Sequence, residues 1–378
     1  MARPKWITYF DALPDPRVER TRRHELSDIL VMMLIASICD CRGWDSTYEM
    51  FRHGPAELRG LLALPNGVPS ADTLRRVMGA LDPKAFGKAF MAWARALCQS
   101  TDGKLVAIDG KTIRGAFADG SAGSLHIVNA WVAENSMVLG HYATDVKSNE
   151  ITAIPELLKL LDIQGAVISI DAMGCQKEIA KAICGRGADY IFGLKGNHPT
   201  LHQEVLETFD DDTCAMLAKS AETFHEHADK GHGRVELRKV WVHKNVQWLH
   251  QSEQWQGLKT MVMIESERTV KGNTSRERRV YISSLEISAK RMLSLVRSHW
   301  HIENKLHWVL DVTFGEDRAR IAKKNGAENL GIVRKIALNM LQNAPKPMGR
   351  KSIAATKQLA TWRFDYLLTV LGSGMFED

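Results

Sequence analysis

The spacing of apolar residues changes character along the chain, and each change marks a different kind of element. Over residues 1–100 the apolar positions fall in short helical clusters. Ser27 or Asp28 is placed to cap a helix through Ile38, and Ser46 another through Phe51. Ser70 or Asp72 opens a third (ADTLRRVMGAL), and Asp82–Pro83 opens a fourth through Leu97. Leu64–Pro65–Asn66–Gly67–Val68–Pro69 reads as a turn between them. Trp44 and Trp93 supply core.

From Lys104 the period shortens to that of strands. LVAID (105–109), SLHIVNAWVA (124–133) and MVLGHYATD (137–145) read as three strands, with Glu134–Asn135 as a hairpin turn. A helix follows at about 150–161, then the strand AVISID (166–171), a helix Gln176–Cys184 and the strand ADYIFGLK (188–195). This order predicts an α/β unit with a mixed sheet. After a further helix, ELRKVWVH, KTMVMIES and RRVYISSL predict a β-rich insertion, and a long helix is expected from roughly Ser288 to Val312. The expected division is 1–100 helical, 101–198 core, 199–285 β-rich insertion, 286–345 second part of the core, and 346–378 tail.

Composition sets limits on function. The 378 residues carry 50 Lys and Arg against 44 Asp and Glu, a net charge of +6, with 45% hydrophobic residues. That balance excludes a disordered chain. No apolar run is long enough to span a bilayer, and no signal core opens the chain, so the protein is expected to stay in the cytoplasm. Six cysteines without a C-x-x-C pair are expected to be reduced thiols. The charge is uneven. Residues 318–378 hold eleven Lys and Arg and four acids, which is +7 and leaves −1 for the rest. A basic end on a near-neutral body fits a polyanion partner, most simply nucleic acid, although a solvated lysine-rich helix would give the same count.

Three carboxylates stand out. Asp109 ends LVAID and Asp171 ends AVISID, and α/β sheets bind ligands at the carboxyl ends of strands. The competing reading of Asp109–Gly110 is a turn, and of Asp171 a helix cap. In the expected long helix Met292, Val296, His299, Glu303, Leu306 and Leu310 share one core-facing stripe. A carboxylate there needs a cation or a salt bridge. Two strand aspartates and a helix glutamate suit hard divalent cations and phosphoryl transfer. His225, His227 and His232 lie close in sequence, but no further spacing completes a zinc site. No Walker loop, dinucleotide fingerprint or nucleophile elbow is present.

The chain resembles a DDE transposase with an RNase H-like core, and more narrowly the ISAs-type insertion-sequence transposases that include the H-repeat-associated proteins. The resemblance rests on FDALPDPRVERTRRHELSDILVMMLIASICDCRGW (10–44), AIDGKTIRGA (107–116), SIDAMGCQKEIA (169–180), YIFGLKGNH (190–198), DKGHGRVELR (229–238) and HWHIENKLHWVLDVTFGEDRAR (299–320). It covers nearly the whole chain. A related group carries Tyr-x2-Arg-x3-Glu-x6-Lys around its glutamate, where this chain has Val296, His299 and Leu310. The narrower pattern Arg-x-His-Trp-x-Ile-Glu-Asn stands at 297–304.

The resemblance implies a helical N-terminal domain, an RNase H-like core and cleavage and strand transfer of double-stranded DNA. It implies two Mg²⁺ ions, with Mn²⁺ as the other choice, and a homodimer on DNA. Asp109 would serve both ions, with Asp171 on one and Glu303 on the other. Asp311, Glu316 and Asp317 remain rivals for the third acid. Lys195, His198, Arg234, Arg238, Arg297, His299, Arg318 and Arg320 are the expected DNA contacts. An inactive DNA-binding product of a decayed element and a nuclease of the same fold are the alternative readings.

Overall fold

A computed structural model of the protein describes residues 5–114, 125–144, 150–231, 233–319, 321, 324–346, 349 and 352–374. Nine strands form one mixed sheet. In chain order they are β1 (Leu105–Ile113), β2 (Leu125–Val132), β3 (Met137–Ala143), β4 (Val167–Ile170), β5 (Asp189–Leu194), β6 (Phe224–Gly231), β7 (Arg234–His243), β8 (Thr260–Val270) and β9 (Asn273–Ser283). Their order across the sheet is β3-β2-β1-β4-β5-β9-β8-β7-β6. β1 and β5 run parallel to β4, and every other pairing is antiparallel. The parallel strands are apolar because both faces are covered: Leu105, Val106, Ala107 and Ile108 are all fully buried.

The β-rich stretch continues the core sheet. β9 pairs with β5 from Ile191↔Ser283 to Leu194↔Val280. Two hydroxyls lock this seam: Ser283 Oγ donates to Tyr190 O at 2.6 Å, and Ser284 Oγ accepts from Tyr190 N–H at 2.9 Å. Beyond the seam β7, β8 and β9 run on as a long extension whose far ends are exposed.

The N-terminal region is helical, with helices at Leu26–Ile38, Trp44–His53, Ala56–Arg59, Ala71–Ala80 and Pro83–Cys98. Ser70 accepts from Thr73 N–H and Asp82 from Lys84 N–H as caps. Asp28 is no cap. The helix starts two residues before it, and its buried carboxylate accepts from Ala63 N–H and Leu64 N–H at 3.1 and 2.8 Å. Ser46 is no cap either, since that helix begins at Trp44 and the Ser46 hydroxyl donates to Gly43 O. In the Leu64–Pro69 turn Leu64 and Gly67 take positive φ, 41° and 75°.

The helix Lys324–Asn343 joins this layer to the sheet. It packs on the helices at 26–38, 71–80 and 83–98 and on β3. Asn329 Nδ2 donates to Met78 O and Leu81 O at 2.8 and 2.9 Å. Asn339 covers the open edge of β3, accepting from Val138 N–H at 2.8 Å and donating to Val138 O at 2.9 Å. Two last helices, Ile353–Trp362 and Phe364–Gly372, pack beside it. The basic C-terminal stretch is therefore not one solvent-facing patch. Lys335 and Lys357 are 2% and 3% exposed, and Lys357 Nζ pairs with Asp40 at 3.0 Å.

Asn339→Ala would leave a buried amide and a buried carbonyl of β3 without partners. We expect a loss of roughly 1–3 kcal/mol, read as a lower urea midpoint at unchanged slope.

Candidate active site

The site begins with a register. β1 and β4 run parallel with Ile108 opposite Ile170. The next residue along each strand is an aspartate, so Asp109 and Asp171 stand abreast. Asp109 does not end its strand. Gly110 pairs with Val128 and β1 continues to Ile113, so the Asp-Gly pair is strand and not turn. A Cβ on Gly110 would lie 2.0 Å from Glu150 Oε1 and 2.6 Å from His126 Nε2, and only glycine leaves room for that pair. Asp171 follows β4 and accepts from Met173 N–H at 3.0 Å, which fixes one of its oxygens at the head of a short turn.

Glu303 arrives from the other direction. The helix Ala289–His299, capped by Ser288, gives way to π-helical winding over Ile302–His307 and Val309–Thr313. Trp308 N–H bonds to Glu303 O, five residues back. The buried stripe keeps Leu306 and Leu310 through this change of winding but takes Ile302 in place of Glu303. Ile302, Leu306 and Leu310 are fully buried, and Glu303 is exposed. The expected core-facing carboxylate thus faces outward, with no ion pair or hydrogen bond to its side chain among the described residues. It lines a cavity of about 300 Å³ together with Asp109 and Asp171.

The three rivals stand elsewhere. Lys111, two residues beyond Asp109 on the same face of β1, is 7% exposed and holds Asp311 at 2.6 Å, Glu316 at 2.9 Å and Asp317 at 3.7 Å. Burial opposes the lysine's charge, but Glu316 and Asp311 hold its pKa above the usual range. Glu316 is 1% exposed. Burial alone would raise its carboxyl, yet Lys111, Arg334 and Lys335 together hold it below the ordinary value.

Crowding of like charge marks Asp109. Burial first, then Glu150 and Asp171, push its carboxyl up to about 7, with Glu303 adding to the effect. Burial and Asp171 also raise Glu303. His307 Nδ1 lies 3.5 Å from Asp109 Oδ2, but burial and the nearby Lys111 and Lys335 push its pKa down to about 3. The histidine is thus neutral and supplies no counter-charge. Oxygen-only donors crowded without a cation fit a hard divalent ion. The side chains are not drawn into a closed ligand set, since among the described residues no group of three or more His, Cys, Asp or Glu stands ready to hold a metal ion.

The expected DNA contacts separate into groups. Arg234, Arg238 and Arg297 line a groove beside the cavity, and Lys195 is exposed at the cavity itself. His198 is committed inward, its Nε2 2.6 Å from Cys175 O and its ring edge-on to Trp255. His299 is also internal. Its Nδ1 sits 2.8 Å from Ser169 Oγ, and burial pushes its pKa down to about 4. Arg318 is exposed on a separate cavity between the helical layer and the core. Arg320 and His232 lie outside the described residues, and the six cysteines are free thiols. The residues around Asp109 that sequence reasoning missed are Glu150, His126, Lys111 and His307. Only Lys111 left a signal, the period of two along β1.

Residues 100–340 match the Transposase DDE domain, and residues 7–94 match the DDE_Tnp_1-associated domain. The chain belongs to the DDE transposase family. It is 40% identical to "Putative transposase YncI" of Escherichia coli O157:H7, over 92% of this chain and 91% of that one. It is 35% identical to "H repeat-associated putative transposase YhhI" of Escherichia coli K12, over 98% and 99%. The chain is accordingly a transposase that acts on DNA, with an RNase H-like core. Transposases of this family generally use divalent metal ions. Among the described residues no helix is long and apolar enough to cross a membrane.

The crowded carboxylates give the transposase a pH signature. Asp109 has an ordinary value of 3.8 and the fold lifts it to about 7. The folded state therefore binds a proton that the unfolded chain has lost, and its stability falls as pH rises through that window. With chelator present, Asp109→Asn is expected to be more stable than wild type by up to about 4 kcal/mol near pH 8. The gain should vanish near pH 4, and urea unfolding at the two pH values measures it.

Proposed function

We propose that Asp109, Asp171 and Glu303 are the three metal-binding carboxylates of this transposase, and that they hold two Mg²⁺ ions, with Mn²⁺ able to substitute. The observation that carries the reading is the pairing of Ile108 with Ile170, which brings two aspartates abreast at a cavity that Glu303 also lines. Glu303 is favoured over its rivals because Asp311, Glu316 and Asp317 are all held by Lys111. Bound divalent ions supply an activated water and charge stabilisation at the attacking and leaving oxygens of a phosphodiester.

The protein's own groups prepare that chemistry. Met173 N–H orients the Asp171 carboxylate, and Gly110 N–H does the same for Asp109 at 3.0 Å. His307, neutral and beside Asp109, leaves the carboxylate free of a competing cation. His299 is a positioning residue, pinned to Ser169 two residues before Asp171. Lys195, Arg234, Arg238 and Arg297 would contact phosphates, with Arg318 contributing from a second region and Arg320 a further expected contact. Transposition joins two element ends, so the working form on DNA is a homodimer. The expected domain boundaries at 100, 198, 285 and 345 belong to the same reading.

The test is cleavage and joining of a labelled element-end duplex in Mg²⁺ or Mn²⁺. Asp109→Ala, Asp171→Ala and Glu303→Ala are each expected to lose at least about a hundredfold in rate while still binding DNA, since even residues behind metal ligands cost 10–100-fold. An active Glu303→Ala would move the third ligand elsewhere. Cleavage by wild type without joining would favour a nuclease, and binding without cleavage an inactive product.

A further inference from the structure

The extension formed by β7, β8 and β9 has two faces of different electrical character. On one face each acid is matched by one base across or along the strands. Glu265 takes Arg278 at 2.8 Å, Glu267 takes Arg276 at 2.9 Å, and Glu226 lies 3.8 Å from Lys239. Acids and bases on that face are therefore equal in number at these positions.

The other face forms a groove of about 520 Å³ and is not balanced in this way. Strand register stacks Glu236 beside Arg268 and Ile264 beside Arg279, so these side chains project together. Glu236 is shared between Arg234 at 3.6 Å and Arg238 at 2.7 Å. Arg238 Nη1 is buried with no partner. Arg268 is exposed and makes no ion pair among the described residues. Arg279 is held in place twice: Glu277 takes it in a fork at 2.8 and 3.0 Å, and its guanidinium lies 5.1 Å from the centre of the Trp300 ring. Arg279 and Trp300 line both this groove and the cavity of Asp109, Asp171 and Glu303, so the two spaces are continuous.

An excess of guanidinium groups over carboxylates in a row, opening into a phosphodiester-cleaving cavity, selects a phosphate backbone. We infer that this one face of the sheet extension is a track for the DNA backbone leading into the active cavity, and that Arg268 and Arg279 are phosphate contacts on it. The inference rests on the proposed reading of that cavity. Arg279, pre-oriented by Glu277 and Trp300, grips the phosphate nearest the acids, and Arg268 grips one farther out. The opposite face carries none of the DNA.

Binding of a labelled mixed-sequence DNA duplex, titrated over a series of salt concentrations, tests this without requiring cleavage. Arg268→Gln and Arg279→Gln are each expected to weaken binding several-fold and to reduce the slope of log affinity against log salt by about 1. Arg276→Gln and Lys239→Gln, on the balanced face and lining neither the groove nor the cavity, are expected to keep the wild-type affinity and slope. Equal losses from both pairs, or wild-type slopes in Arg268→Gln and Arg279→Gln, would overturn the track. Asp109→Ala run in parallel separates the two readings: it keeps the wild-type slope even where cleavage is lost, so a failed track and a failed acid site give different results.

Discussion

Everything at the active cavity depends on one parallel strand pair. β1 and β4 bring LVAI and VISI together with both faces buried, and the register of that pairing is set by apolar packing. A slip by one residue would turn Asp109 into the opposite face of the sheet. The register therefore does chemical work that neither aspartate could do alone. It holds two like charges side by side, and it does so with groups that are themselves uncharged. The helices that cover the sheet, and Asn339, which ties helix 324–343 to its edge, matter to function because they keep this register fixed.

Lys111 extends the same logic to the third acid. It shares a face of β1 with Asp109, and its ammonium collects three carboxylates from the segment that follows Glu303. One buried cation thus fastens the end of the π-wound segment to the strand carrying Asp109. Breaking a buried pair of this kind leaves uncompensated charge, which makes the tether rigid. Glu303 itself makes no such bond and remains free to face the cavity. A structural role for one set of acids and openness for the other follow from where a single lysine sits.

The sheet and most helices were legible from periodicity, because period-two runs bounded by turns and capped amphipathic runs leave a direct trace. The aspartate pair was legible as a motif, but its geometry was not. The Asp109–Gly110 step looks like a turn in sequence, and only pairing with β2 and the packing of Glu150 and His126 against Gly110 keep it extended. Glu303 was legible as a special residue for a reason that does not hold. The α-helical period places it in the core, but the buried stripe takes Ile302 at that step and leaves Glu303 outside. The C-terminal bases read as one patch because sequence counts charges without their burial. Lys335 and Lys357 are internal, and the groove arginines come from three successive strands whose register alone puts them on one face.

The carboxylates at the cavity and the arginines beside it are complementary halves of one arrangement. Burial, Glu150 and Asp171 raise Asp109 to about 7, and no described side chain offsets them with a positive charge. A fold optimised for stability would neutralise it, as Lys111, two residues along β1, neutralises Glu316. Keeping the charge uncompensated costs stability, which is the usual mark of a site shaped for a ligand. The arginines show the reverse imbalance: Arg268 has no acid, and Arg234 and Arg238 share one. Among the described residues, the excess of acid at the cavity and the excess of base along the adjoining groove are both left for partners from outside the chain to complete. On the proposed reading divalent cations answer the first and a polyphosphate backbone the second, and a transposase needs both in the same place.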